Sequence, residues 1–218
     1  MKYYPVNLNI KNRACLVVGG GRVGTRKVKT LADCGALVTV VSPEISVKLD
    51  QMAARGKIEL FKRGYRSTDL EGKFLVIGAT NDEALNRRIH ADAEQLNTLC
   101  NIADRPKICN FILPAVVSRG DLLIAVSTSG KSPAYAKKLR KELEKQFGRE
   151  YESFLRLMGG IREKLLSEKH EPEAHRPLFE KLIASGLPDL IKADRSDEID
   201  ALLSEVLGEG YRYRELLT

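Results

Sequence analysis

Gly19, Gly21 and Gly24, in "VVGGGRVGTRK", hold the spacing G-x-G-x-x-G directly after an apolar run and at the start of a helix-like stretch. In that context the first glycine permits a tight turn. The second lets backbone approach a pyrophosphate, and the third lets helix and strand pack closely. The helix N-terminus adds oriented N–H groups and a partial positive charge, which suits an anionic ligand. A glycine-rich turn without a ligand is the alternative, and the order strand, motif, helix favours a dinucleotide.

Two further edges belong to the same chemistry. The next β-rich run ends "VVSPE", where a ribose-binding acid is expected, and it offers Ser42, Pro43 and then Glu44. The expected acid is missing at the strand end itself and Glu44 comes only two residues later; with no arginine directly after, although Lys48 is near, the pattern leans to NAD over NADP. The run "LVIGATND" places Ala79, Thr80 and Asn81 at the end of another strand, where they border a cofactor, cap the following helix, or do both. Asp104, in "LCNIADRPKICNFILP", ends a fifth apolar run and is followed by Arg105, Pro106 and Lys107. A carboxylate there is either a general base facing the cofactor or a loop cap paired with Arg105 or Lys107. The residues alone leave both open.

These positions make sense only on a particular scaffold. Apolar runs at 14–19, 37–41, 57–61, 73–80 and 98–103 alternate with helix-like stretches at 22–35, 46–56 and 82–96. Such alternation predicts βαβ units, a parallel sheet with helices on both faces, and ligands outside the carboxyl ends of the strands. Asn81 or Asp82 is expected to cap the third helix. Near Pro114 the pattern changes to two short strands around "SRGD", then to a helix with Ser132 as N-cap and Pro133 in its first turn. Amphipathic stretches at 150–166 and 197–210 flank the Pro-containing run 170–190. The expected fold is α/β: a Rossmann-type parallel-sheet domain over 1–113, a small α+β region over 114–146, and a helical C-terminal domain over 147–218.

Composition narrows the classes. No apolar run approaches the ~20 residues of a membrane span, and the first residues lack a signal-peptide pattern, so a cytoplasmic chain with no membrane partner is expected. Cys15, Cys34, Cys100 and Cys109 show no C-x-x-C pair and read as reduced thiols. His90, His170 and His175 have no metal-ligand spacing, so no bound metal is expected. The formal charge of +7 comes from 36 basic and 29 acidic residues spread along the chain. It suits a small polyanion, and without an aromatic-rich motif or helix-turn-helix it does not point to nucleic acid.

Taken together, "CLVVGGGRVGTRKVKTL", "VTVVSPE", "GATND" and "CNIADRPKICNFILPAVVSRGDLLIAVSTSGKSPAYAKKLR" resemble the dehydrogenase/ferrochelatase module of siroheme synthase in order and spacing. The resemblance runs from about residue 3 to at least residue 145 and thins to helical character over the rest. It implies oxidation of precorrin-2 to sirohydrochlorin with NAD. In some members ferrous iron then enters as a co-substrate. It also implies a homodimer held through the central region, with active sites at domain and subunit junctions. By resemblance, Asp104 of the N-x-x-D-x-P segment is catalytic, and Arg22, Val23, Pro43 and Glu44 contact the cofactor. Ser127, Thr128, Ser129, Gly130, Lys131 and Ser132 lie near the tetrapyrrole, with Thr128 where some relatives carry a modifiable serine. Arg105, Lys107, Arg119, Lys131 and Arg140 are candidates for its carboxylates. Relatives often carry alanine at the third glycine, Gly24. An NAD-sensing regulatory module without catalysis is the competing reading.

Overall fold

The computed structural model describes residues 2–103, 105–168 and 172–217, without the side chains of 172–174; Asp104 and His170 lie outside the described residues. The chain divides into two compact units, Met1–Leu113 and Pro114–Thr218.

The first unit contains β1 (Ala14–Gly20), α1 (Arg22–Asp33), β2 (Leu37–Ile45), α2 (Val47–Ala54), β3 (Glu59–Phe61), β4 (Leu75–Gly78), α3 (Glu83–Gln95) and β5 (Leu99–Ile102). Its strands lie in the order β3-β2-β1-β4-β5, every pairing parallel. Because both faces are covered, the strands are apolar throughout rather than alternating. Along β1, Cys15 and Val17 enter one core with Val28, Leu31 and Leu49, while Leu16 and Val18 enter the other with Ile89, Cys100 and Ile102. The switch in strand order leaves a crevice at the carboxyl ends of β1 and β4.

β2 is longer than expected, running through Pro43 and Glu44 to Ile45, which pairs with Gly20 after an irregularity at Gly19. β3 pairs only with Thr39–Val41, so Pro43 lies beyond the last β3 partner and its missing N–H leaves no ladder bond broken on that side. Asp82, rather than Asn81, caps α3, its Oδ1 accepting from Leu85 N at 3.0 Å.

Between β3 and β4 the chain is held by Asp69. Its carboxylate accepts from both guanidinium nitrogens of Arg63, at 2.6 and 2.8 Å, and from Arg66 N at 2.8 Å. The Arg63 hydrogen bonds hold the Asp69 carboxyl below the usual aspartate range, outweighing its partial burial. A depressed folded-state pKa stabilises the fold above the unfolded value and is lost as pH falls through the folded one. Asp69→Asn is therefore expected to unfold at lower urea than the wild type at pH 7, and the gap to close below about pH 4. Parallel midpoints from pH 7 to pH 3 would show that Asp69 adds no pH-linked stability.

The second unit opens with an antiparallel hairpin, β6 (Ala115–Arg119) and β7 (Leu122–Val126). Helices α4 (Pro133–Gln146), α5 (Glu150–Ser167), α6 (Pro172–Ala184), α7 (Leu187–Lys192) and α8 (Ser196–Leu207) follow. Ser132 caps α4 as expected, accepting from Tyr135 N at 3.3 Å. The described part of the run 170–190 falls in two helices, parted by Gly186 at φ +75°. Leu157, Ile161, Leu165, Leu182, Leu187, Ile199 and Leu203 make the core of this unit. No helix among the described residues is long and apolar enough to cross a membrane.

Candidate active site

The carboxyl ends of β1, β2 and β4 enclose a cleft of about 690 Å³ in the first unit. Gly19 and Gly21 line it from the end of β1, and Arg22 and Val23 from the start of α1. Ser42, Pro43 and Glu44 line it from β2, and Ala79, Thr80 and Asn81 from the turn after β4. The structure thus brings every expected cofactor residue except Gly24 to one wall or another of a single cleft. Gly24 lies beneath it, fully enclosed.

The glycines divide the work. Gly19 has φ +115°, and a Cβ there would stand 2.3 Å from the Ala79 carbonyl oxygen. Gly24 allows α1 to sit against the turn, since a Cβ there would lie 2.0 Å from Gly19 O. Gly21 is open on its side-chain side: a Cβ there would have no neighbour within 4 Å. It is the place where a ligand can approach the backbone at the first turn of α1. These features fit a dinucleotide pyrophosphate, and Glu44 and Ser42 stand where a ribose would be read. The Ser42 hydroxyl already donates to Glu44 O at 2.6 Å, which leaves it only acceptor capacity.

Three polar residues that the sequence reading missed position these walls. Ser46 N donates to Gly20 O at 3.0 Å, and Ser46 Oγ lies 2.8 Å from Thr25 Oγ1. Ser46 also caps α2, accepting from Leu49 N at 3.4 Å. The pair Thr25–Ser46 therefore ties the glycine-loop helix to the end of β2. Buried Asn86 does the same for the third wall, donating from Nδ2 to Thr80 O at 3.0 Å and accepting from Thr80 Oγ1 at 3.1 Å. Asn86 was findable: it shares a helix face with Ile89 and Ala93, the buried face of α3. Ser46→Ala is expected to cost about 1 kcal/mol in urea unfolding and to weaken NAD binding about threefold to tenfold by loosening the two walls. An unchanged NAD dissociation constant would reduce Ser46 to a helix cap.

The remaining candidates fall in both units. Arg105 lies on the loop after β5, with Arg105 Nη2 3.4 Å from Glu83 Oε2, and Lys107 is exposed nearby. In the second unit, Ser127, Thr128, Ser129, Gly130, Lys131 and Ser132 form the loop between β7 and α4. Thr128 Oγ1 accepts from Ser132 N at 3.1 Å, and Ser127 Oγ from Ser129 N at 3.1 Å. Arg119 is engaged elsewhere, donating to Phe147 O at 2.9 Å and Glu144 O at 3.1 Å at the end of α4. Arg140 pairs with Glu144 one turn on. Burial pushes the Cys15 thiol up to about 11 and Cys100 up to about 12, so both stay protonated. Among the described residues no cluster of His, Cys, Asp or Glu could hold a metal ion.

With this cleft defined, comparison with known proteins identifies the lineage. Residues 6–115 match the sequence profile of the family described as "Putative NAD(P)-binding", and 119–146 match that of "Sirohaem biosynthesis protein central". The chain belongs to the family of the siroheme synthase N-terminal module. It is 36% identical over 215 residues to the siroheme synthase of Thioalkalivibrio sulfidiphilus (strain HL-EbGR7), covering 99% of this chain and 44% of that protein. It is 35% identical over 211 residues to the siroheme synthase of Nitrosococcus oceani, covering 97% of this chain and 45% of that one. The chain thus spans under half the length of these curated relatives. Among solved structures, that of "SirC, precorrin-2 dehydrogenase" aligns with a TM-score of 0.79 and 27% identity, over 94% of this chain and 98% of that one. The likeness therefore extends through the helical C-terminal region, where sequence resemblance had thinned.

Proposed function

We propose that this chain oxidises precorrin-2 to sirohydrochlorin with NAD. The main support is a formed dinucleotide cleft in a chain alike, over nearly its whole length, to a precorrin-2 dehydrogenase. Bound NAD supplies the hydride acceptor. The glycine loop and the α1 N-terminus hold its pyrophosphate, and Glu44 reads its ribose. Glu44 and Asp82 line the cleft with Arg22 as its lone cation among the described residues, which favours NAD over a 2′-phosphorylated cofactor. Asp104, in sequence the second residue past the end of β5, takes up the proton released as the hydride leaves. Arg105 and Lys107 of the first unit, and Lys131 and the loop Ser127–Ser132 of the second, are each suited to tetrapyrrole carboxylates, by charge and by hydroxyl hydrogen bonds. Arg119 acts through the end of α4 that it secures.

Iron insertion is a second step of the same proposal. The four macrocycle nitrogens bind the metal, so the protein needs only to orient the ring and accept pyrrole protons. The reading also includes a homodimer, supported by the exposed apolar side chains Val116 and Leu123 on one face of the β6–β7 hairpin, and a cytoplasmic site of action.

The test is anaerobic: purified chain, freshly generated precorrin-2 and NAD, with NADH and sirohydrochlorin followed together. Equal appearance of both establishes the dehydrogenase, and ferrous iron added to the same cuvette tests insertion. NAD binding without turnover would reject the reaction and leave the sensing module in its place.

A further inference from the structure

β5 is an outer strand, so the outward N–H and C=O groups of this edge need partners beyond the sheet. Side chains from the returning segment Cys109–Phe111 supply most of them. Asn110 Oδ1 accepts from Cys100 N at 2.7 Å, Asn110 Nδ2 donates to Thr98 O at 3.0 Å, and Asn110 N donates to Cys100 O at 3.2 Å. One carboxamide thus takes the place of a stretch of partner strand. At Ile102 the role passes to a thiol. Cys109 Sγ accepts from Ile102 N at 3.1 Å, and its proton is shared between Ile102 O at 3.4 Å and Arg105 O at 3.2 Å. Asn101 Nδ2 reaches across to Phe111 O at 3.0 Å. Burial raises the Cys109 thiol, which keeps it in the protonated, donating form this arrangement requires.

The consequence is that Ala103 and 105–108, the described residues of the segment 103–108, are fixed at both ends. Ala103 N donates to Gly78 O at 2.8 Å, tying its start to β4, and Cys109 ties its end to the last residue of β5. Among these residues in sequence stand Asp104, Arg105 and Lys107. We infer that Cys109 and Asn110 are positioning residues for the proposed oxidation: they fix the loop that carries the proton acceptor against the carboxyl end of β5. This rests on the dehydrogenase reading above. A mere cover for the sheet edge would affect stability and leave the chemical step alone, whereas displacing a reacting group by even about 1 Å costs up to roughly 100-fold in rate.

The test compares full-length Cys109→Ala, Cys109→Ser and Asn110→Ala with wild type by amide hydrogen exchange, NAD titration and anaerobic precorrin-2 turnover. Cys109→Ala is expected to release the Ile102 amide and Asn110→Ala the Cys100 amide, while β1 and β4 stay protected. Their kcat should fall about 10- to 100-fold, with NAD affinity within about twofold of wild type. Cys109→Ser, whose hydroxyl both accepts and donates, should recover most of the rate. Wild-type kcat in the alanine variants despite released amides overturns the positioning role alone. A fall in kcat matched by an equal loss of NAD binding overturns it too, because the damage is then general. Wild-type protein that binds NAD but does not oxidise precorrin-2 overturns the dehydrogenase reading, and the positioning role falls with it.

Discussion

Asp104→Asn is expected to fold and bind NAD as the wild type does, and to oxidise precorrin-2 about 10²- to 10⁴-fold more slowly, the range for loss of a general base. Asparagine keeps the size and hydrogen-bonding edge of the side chain and removes only its capacity to take up a proton. The substitution therefore separates a catalytic carboxylate from a loop-capping one, since a cap would be largely replaced by the carboxamide. Single-turnover measurement of NADH formation reads the chemical step directly. A rate within about threefold of wild type would return Asp104 to the capping role and move the proton acceptor to another group.

Gly21→Val is expected to raise the NAD dissociation constant at least about 100-fold, equivalent to ~2.7 kcal/mol, with melting temperature almost unchanged. The backbone at Gly21 is extended, with φ −74° and ψ −169°, a conformation open to any residue. A Cβ there would meet no protein atom within 4 Å, so the new side chain starts in open space and projects into the ligand's approach. Gly19→Ala is the instructive contrast: positive φ and a 2.3 Å approach to Ala79 O make it a folding defect first. Calorimetric NAD titration beside thermal unfolding distinguishes the two. Gly21→Val with normal affinity would place the pyrophosphate away from the α1 N-terminus.

Much of the first unit was legible because its signals are local. Apolar runs bounded by turn residues, a glycine motif between strand and helix, and the cap Asp82 each follow from residues close in sequence, as does the cap Ser132 in the second unit. What escaped depends on partners distant in sequence. The extension of β2 to Ile45 was hidden by Pro43, which is acceptable only because β3 has ended by then. The tie between Thr25 and Ser46 spans 21 positions and carries no periodic signature. Asn110 and Cys109 read as ordinary loop residues, and their value appears only when the open edge of β5 is placed beside them. The two helices of 170–190 were blurred by Pro177, which sits inside α6.

The close approach of Gly24 to the Gly19 carbonyl also bears on the order in which substitutions in this loop can be tolerated. With alanine at this position a Cβ could not come within 3.0 Å of that oxygen, so α1 would have to stand off by about 1 Å. The residue tolerated at position 24 therefore depends on the residues on which α1 rests. Gly24→Ala made alone in this background should be harmful, yet neutral once Val28 and Leu31 and the strand positions that receive them have changed. Substitutions in this loop are thus ordered in time: the helix must move before the methyl group can arrive.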